Sequence, residues 1–477
     1  MKKILIFLSL FLSITAISQN IIKGPYLLYP GNNSEMTVMW QSNTSGTSVI
    51  YWGTTLYYGD SSVVSEYGTD HQFKYTIQGL DPGQKYYYKV EIGNTVKTGS
   101  FITAPEANAG DVTFYIYGDT RSHPEVQNTV TGRILTEINN DPASQTFCLI
   151  TGDCVKHGRT ESDWQNQFFN TAYSNNETLK SMVPFIIARG NHENYDANYY
   201  NGYATVFYKY WPYDFASNST NGDDMYQSFD YGPVHIAVVD QYDNGSYDPA
   251  RLSSAQLMWL QNDLANSGKT WKFILLHEPG WSAKYTSLRE HGNNTDVQQN
   301  IQPLCIQNNV KAVFGGHNHY YAHCEVDSVH HFTLGGGGAP LYTPSHTSGG
   351  VIVYAEKTYH FMKLQIQGDN AVLTAIRPDG SVVETINLHM PTSGLTEKPE
   401  ENVSVYPNPS NGIFNIRISG DLLNAEMFIS DVAGHQIFRK KIASVMETIN
   451  LSDFGKGIYI VTLKTGRKNI QKKIIIK

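Results

Sequence analysis

Five apolar runs in this chain each end on residues able to bind a metal ion. Phe114–Tyr117 leads into Gly118-Asp119, and Phe147–Ile150 leads, one residue on, into Gly152-Asp153. Phe185–Ala188 precedes Gly190-Asn191-His192-Glu193, Phe273–Leu276 precedes His277, and Val310–Phe314 precedes Gly315-Gly316-His317-Asn318-His319. Ligands of open α/β sheets gather at the carboxyl ends of the strands. Carboxylate, amide and imidazole donors would therefore meet in one place, a mixture that suits Zn, Fe or Mn rather than Ca.

Two neighbouring cations need a carboxylate between them, and Asp153 is the natural bridge. Asp119 and His319 would hold one metal; Asn191, His277 and His317 would hold the other. His317 and His319 are two apart, so on an extended strand end they point the same way. Asn191 donates a neutral oxygen and leaves the metals Lewis-acidic. Two such ions about 3.5–4 Å apart clamp a phosphoryl group and bring a bound water close to neutrality. The metal-bound hydroxide then attacks phosphorus in line. His192, beside Asn191, is placed to protonate the leaving alkoxide and, when charged, to steady the phosphoryl oxygens. Arg121 and Arg189 flank ligands and suit bidentate phosphate binding; for Arg189 a structural ion pair reads equally well. His291 follows His277 in a loop and either faces substrate or is solvated. Each motif alone reads as a turn or a solvated loop. Their joint occurrence, each at a strand end, is what points to a metal site.

The elements that must position these residues lie within a chain of 477 residues, too long for one ordinary core. Lys plus Arg is 35 and Asp plus Glu 43, a net charge of −8, which argues against nucleic acid as a standing partner. Residues 1–19 read as a cleavable secretory signal, with basic Met1-Lys2-Lys3, apolar Ile4–Ile17 and a small exit near Ala16–Gln19; the apolar stretch is short for a membrane span. Residues 20–105 read as a β-sandwich, with alternation in Met36–Trp40, Ser48–Trp52, Phe73–Ile77 and Tyr86–Ile92 and a turn at Leu80-Asp81-Pro82-Gly83. From Asp111 strands alternate with helices. Pro124–Asn139 sets Val130, Ile134, Leu135 and Ile138 on one face, Ser253 caps a helix with Gln256 at its third position, and Val297–Gln307 is a shorter helix. The Tyr-rich insertion Tyr195–Asp224 is either a substrate wall or plain packing. Residues 351–388 return to β alternation, 391–402 read as a linker and 403–477 as a small β module. Export permits disulfides among Cys148, Cys154, Cys305 and Cys324, with Cys148–Cys154 and Cys305–Cys324 possible among three pairings.

The set Gly118-Asp119, Gly152-Asp153, Gly190-Asn191-His192-Glu193, His277 and Gly316-His317-Asn318-His319 resembles that of the calcineurin-like metallophosphoesterases. The resemblance implies a four-layer αββα domain over residues 111–390, a dinuclear metal centre and phosphate-ester hydrolysis. Gly24-Pro25-Tyr26-Leu27, Met36–Trp40, Gly79-Leu80-Asp81-Pro82-Gly83 and Phe101-Ile102-Thr103-Ala104-Pro105 are similar to the fibronectin type III-like N-terminal domain of purple acid phosphatases, and His277-Glu278-Pro279-Gly280-Trp281 also looks like that group. Pro407-Asn408-Pro409, Gly457-Ile458-Tyr459 and the basic end resemble the C-terminal sorting domain of type IX secretion substrates. That implies outer-membrane secretion machinery as a partner and a secreted or cell-surface location.

The chain departs from the pattern twice. Purple acid phosphatases carry an iron-binding Tyr three residues after the bridging Asp, where this chain has Lys156; a colourless protein is expected. Related enzymes use Asp-x-His in the first motif, where this chain has Asp119-Thr120-Arg121. The first metal then lacks a protein ligand, and His123 or a water fills the gap. The expectation is a multi-domain, secreted, acid phosphatase-like enzyme that hydrolyses phosphomonoesters with two divalent or trivalent ions. A phosphodiesterase or nucleotide hydrolase, and a surface adhesion protein with a degenerate metal site, remain as other readings.

Overall fold

In strand Asp111–Tyr117, alternate side chains point to opposite faces, and both faces are apolar. Phe114 and Ile116 enter one core; Tyr115 and Tyr117 enter another. A strand buried on both faces belongs inside a layered sheet, and the computed structural model places it there. The model describes residues 19–195, 205–213, 225–242, 250–284, 291–390, 403–418, 422–432, 434–464 and 469–477. Residues 1–18 of the expected signal, the 391–402 linker, and 196–204 and 214–224 of the aromatic insertion lie outside the described residues.

Residues 21–102 form two four-stranded sheets. Strand Lys85–Ile92 alternates between half-buried and buried positions, the period of two that a sandwich requires. Trp40 and Phe73 stack at 5.5 Å in the core between the sheets, with Tyr88, Val90 and Phe101 in the same cluster.

The central domain has a six-stranded and a seven-stranded sheet. In the first, Phe185–Ile187, Cys148–Ile150 and Asp111–Tyr117 run parallel, and Phe361–Gln367, Asn370–Ile376 and Val382–His389 extend it antiparallel. In the second, Val234–Val238, Trp271–Leu275, Ala312–Gly315 and Val329–Leu334 are parallel. Phe114, Leu149 and Ile186 of one sheet meet Phe273, Phe314 and Phe332 of the other, with Phe114 and Phe273 edge to face at 6.1 Å. Helix Pro124–Asn140 buries Val130, Ile134 and Ile138 on the outer face of the first sheet. Helix Ser254–Asn266 begins with Ser253 accepting the Gln256 N–H at 3.1 Å and buries Leu260 and Leu264. The expected sandwich, αββα domain and terminal β module are the architecture found.

The described chain forms two compact units, one running to residue 294 and resuming over 310–390, the other combining 295–309 with the tail. In the second, two sheets of three and four strands enclose Phe414, Ile416, Ile429, Val461 and Leu463. The expected helix Val297–Gln307 is a π-helical turn, Val297–Ile301, followed by an α-helix, Gln302–Gln307. Pro303 sits at the start of that α-helix, where its missing N–H is tolerated. All four cysteines are buried free thiols, so neither candidate disulfide is formed.

Candidate metal centre

The parallel strands of both sheets end at one edge, and the loops beyond them carry every expected ligand. Those loops bond to one another: Asp119 N–H donates to Gly152 O at 2.9 Å and Arg121 N–H to Asp153 O at 3.2 Å. Asp119, Asp153 and His317 all adopt left-handed backbone, at φ of 55°, 55° and 65°. Such strain in non-glycine residues persists where the surroundings over-determine it, commonly at functional sites. Glycine is required beside them because a Cβ at Gly190 would strike Asp153 Oδ1 and one at Gly316 would strike Asp119 Oδ2.

The six residues converge. Asn191 Oδ1 lies 3.0 Å from His277 Nε2 and 3.2 Å from His317 Nδ1, and the two imidazole nitrogens are 3.3 Å apart. Asp153 Oδ1 lies 3.4 Å from His277 Nε2. Asp119 Oδ1 lies 3.4 Å from His319 Nε2, and both Asp119 oxygens accept the His317 N–H, at 3.0 and 2.9 Å. Ligand atoms of Asp119, Asp153 and His319 fall within 4.8 Å of one another.

Backbone carbonyls fix the tautomers. His277 Nδ1 lies 2.7 Å from Thr151 O and His319 Nδ1 lies 2.8 Å from Pro340 O. A carbonyl only accepts, so the proton sits on Nδ1 and the Nε2 lone pair faces the cluster. Asn191 Nδ2 donates to Tyr195 Oη at 2.7 Å, which turns Oδ1 inward. His277 Nε2 and Asn191 Oδ1 are thus two acceptors 3.0 Å apart. That arrangement repels itself until a cation enters, and the donor set fits a metal ion. Burial opposes a charge on His277, but Asp153 and Asp119 outweigh it and hold its pKa above the ordinary value. Burial also opposes ionisation of Asp153, yet His192, His277 and Arg121 keep its carboxyl well below the usual range.

His192 N–H donates to Asp153 Oδ1 at 3.0 Å, and its Nδ1 donates to Lys156 O at 2.6 Å. Its Nε2 lies 3.8 Å from Asp153 Oδ2. Burial lowers its pKa to about 4 against the pull of Asp153. Arg121 reaches the cluster, with Nε 3.4 Å from Asp153 Oδ2 and Nη2 3.3 Å from His319 Nε2. Arg189 has other partners: Nε and Nη2 take both oxygens of buried Asp240 at 3.0 and 2.7 Å, and Nη1 meets Tyr208 Oη at 2.9 Å. This is the ion-pair reading of Arg189. His123 pairs with Glu125 at 2.9 Å on the exposed start of a helix. His291 stands over His317 with ring centres 4.7 Å apart.

Several supporting residues escaped sequence reasoning. Glu193, in the motif but given no role, accepts the N–H groups of Asp153, Cys154 and Gly190 at 3.0, 2.8 and 2.7 Å. Gln241 Oε1 accepts from His277 N–H at 3.0 Å and from Glu278 N–H at 2.6 Å. A signal existed for Gln241 and Asp240, since both follow strand Val234–Val238 at the same sheet edge. Tyr342, which stacks on His319 at 4.2 Å under the Lys284 ammonium, had none.

Fold and ligand order together define a calcineurin-like phosphoesterase domain, and residues 112–321 match the model of that family. Residues 22–103 match the model of the purple acid phosphatase N-terminal domain. Residues 404–477 match a secretion system C-terminal sorting domain, which marks a secreted or cell-surface protein. A purple acid phosphatase of Glycine max is 29% identical over 278 residues, 56% of each chain. An uncharacterised protein of Mycobacterium tuberculosis is 26% identical over 342 residues, 63% of this chain and 61% of its own. The alignments thus span little more than half the length of these curated relatives. The purple acid phosphatase from yellow lupin (Lupinus luteus) seeds shares the fold, with a TM-score of 0.63, 18% identity and 78% coverage of both chains.

Proposed function

We propose that this chain is a secreted phosphoric ester hydrolase, acid phosphatase-like, acting on phosphomonoesters at a centre with two cationic positions. The convergence of Asp119, Asp153, Asn191, His277, His317 and His319 at one sheet edge carries the reading. Asn191, His277, His317 and Asp153 would hold a metal at one position; Asp119, His319 and Asp153 line the other. Bound metal of this kind supplies Lewis acidity and an acidified water.

The remaining steps belong to the chain's own side chains. Arg121 sets a guanidinium against Asp153 and His319, and Lys284 sets an ammonium 4.4 Å over Tyr342. That positive charge suits a monoester dianion better than a diester. His192 holds its Nδ1 proton on Lys156 O, which leaves Nε2 facing the cluster; protonated there at acidic pH, in keeping with a pKa lowered to about 4, it would give that proton to the leaving oxygen. Comparing hydrolysis of p-nitrophenyl phosphate with that of its bis-ester, alongside metal content, tests the reading. Monoester turnover with bound metal, both lost in Asp153→Asn, is the expected result. A faster bis-ester, or no turnover by a metal-replete protein, would refute it.

A further inference from the structure

Resting on the hydrolase reading above, we infer that Arg121 itself is the second cation: its guanidinium occupies the position lined by Asp119, Asp153 and His319, and the centre takes one metal ion per chain. The atoms that would ligate a metal there already face this side chain. His319 presents a single lone pair, on Nε2, because its Nδ1 proton is held by Pro340 O at 2.8 Å. Arg121 Nη2 lies 3.3 Å from that lone pair. Asp153 divides its carboxylate: Oδ1 faces His277 at 3.4 Å, and Oδ2 faces Arg121 Nε at 3.4 Å. A nitrogen lone pair cannot serve an N–H donor and a metal together, so cation and guanidinium exclude each other on His319.

Arg121 also cannot easily leave. Its side chain is 13% exposed, and its backbone N–H is fixed to Asp153 O at 3.2 Å. Nε is buried 3.4 Å from Asp153 Oδ2, an ion-pair contact without a hydrogen bond. A guanidinium held this deep in the protein is stabilised by such a carboxylate. His123 does not reach the cluster and pairs with Glu125.

The test is stoichiometric. The purified full chain is loaded with Mn(II), desalted, and measured by inductively coupled plasma mass spectrometry and electron paramagnetic resonance. One manganese per chain with the spectrum of an isolated ion is expected. Two per chain, or the spectrum of an exchange-coupled pair, would overturn the inference. Arg121→His and Arg121→Ala should each raise binding from one to two equivalents, with a coupled spectrum in the histidine form. If both variants fold, by circular dichroism, and still bind one, Arg121 is not the occupant and the assignment fails. Hydrolysis of p-nitrophenyl phosphate on the same samples separates the two readings. Two metals with turnover would sink this inference alone, whereas one metal without turnover would sink the hydrolase reading alone.

Discussion

At the scale of single residues, the proposed hydrolysis assigns the departure of the leaving group to His192. Its Nε2 faces Asp153 Oδ2 at 3.8 Å while Nδ1 is tied to Lys156 O. Proton transfer of this kind is worth about 10²–10⁴-fold where the leaving group is a poor one. His192→Ala should therefore lose about that much kcat on an alkyl phosphate and far less on p-nitrophenyl phosphate, whose leaving oxygen needs no proton. Equal losses on both substrates would show that His192 acts elsewhere. Lys156 offers a spectroscopic check. With no phenol at that position, iron-loaded protein should lack the visible phenolate charge-transfer band, and a band in the wild type would contradict the ligand set. The convergence of the candidate ligands was legible in the sequence, because each follows an apolar run and all but His277 a glycine-marked turn. The arginines were less so. Arg189 and Arg121 look alike beside their ligands, and what separates them is Asp240 and His319, residues remote in sequence that only the fold brings near.

At the scale of elements, the ligand loops are held together by side chains that bind no substrate. Glu193 joins the loop after Cys148–Ile150 to the loop after Phe185–Ile187 through three backbone N–H groups. Glu193→Gln keeps the shape but turns an amide N–H₂ toward one of those donors. Outer-shell losses of this type cost about 10–100-fold in metal affinity, readable by competition with a chromophoric chelator; unchanged affinity would remove Glu193 from the scaffold. A second cross-element contact sets a pH limit. His235, on strand Val234–Val238, meets Asp230 on the neighbouring strand and Asp263 on helix Ser254–Asn266, each at 2.8 Å. Burial opposes its charge, but those two hydrogen-bonded carboxylates outweigh it and raise its pKa to about 9. A folded pKa above the unfolded value of about 6.5 stabilises fully below that value and is lost as pH rises toward 9. Thermal melts should fall across that window by the equivalent of about 2 kcal/mol, a figure discounted because Asp230 is half exposed. His235→Asn should be flat there, and a wild type equally flat would refute the pairing. Strand positions were readable from alternation, but not their order. That Phe361–Gln367 inserts antiparallel beside Asp111–Tyr117 follows from long-range pairing that no local pattern encodes.

At the scale of the molecule, the N-terminal sandwich is fastened to the phosphoesterase domain rather than tethered to it. Tyr26 packs against Phe169 and Trp211 at 5.1 and 5.3 Å and donates to Tyr210 O at 3.0 Å. Lys23 reaches Gln41 Oε1 and Glu161 Oε1, each at 2.7 Å, and Tyr88 Oη donates to Ser181 O at 3.0 Å. The change from alternating strands to strands with helices after residue 105 marked two modules; the buried aromatics at their junction could not be assigned to an interface from sequence, since a core aromatic and an interface aromatic look the same. An interface this apolar should make the two modules unfold as one. Tyr26→Ala removes a fully buried ring that touches both, and large-to-small changes of that kind cost about 3–5 kcal/mol. Tyr26→Phe removes only the hydroxyl and its bond to Tyr210 O, a loss of about 1 kcal/mol. Urea unfolding followed separately by tryptophan fluorescence and far-ultraviolet circular dichroism should give coincident transitions for the wild type and both variants, with the Tyr26→Ala midpoint displaced furthest. Non-coincident transitions in the wild type, with the sandwich melting apart from the metal domain, would show that the junction is a contact of convenience and that Tyr26 stabilises only its own sheet.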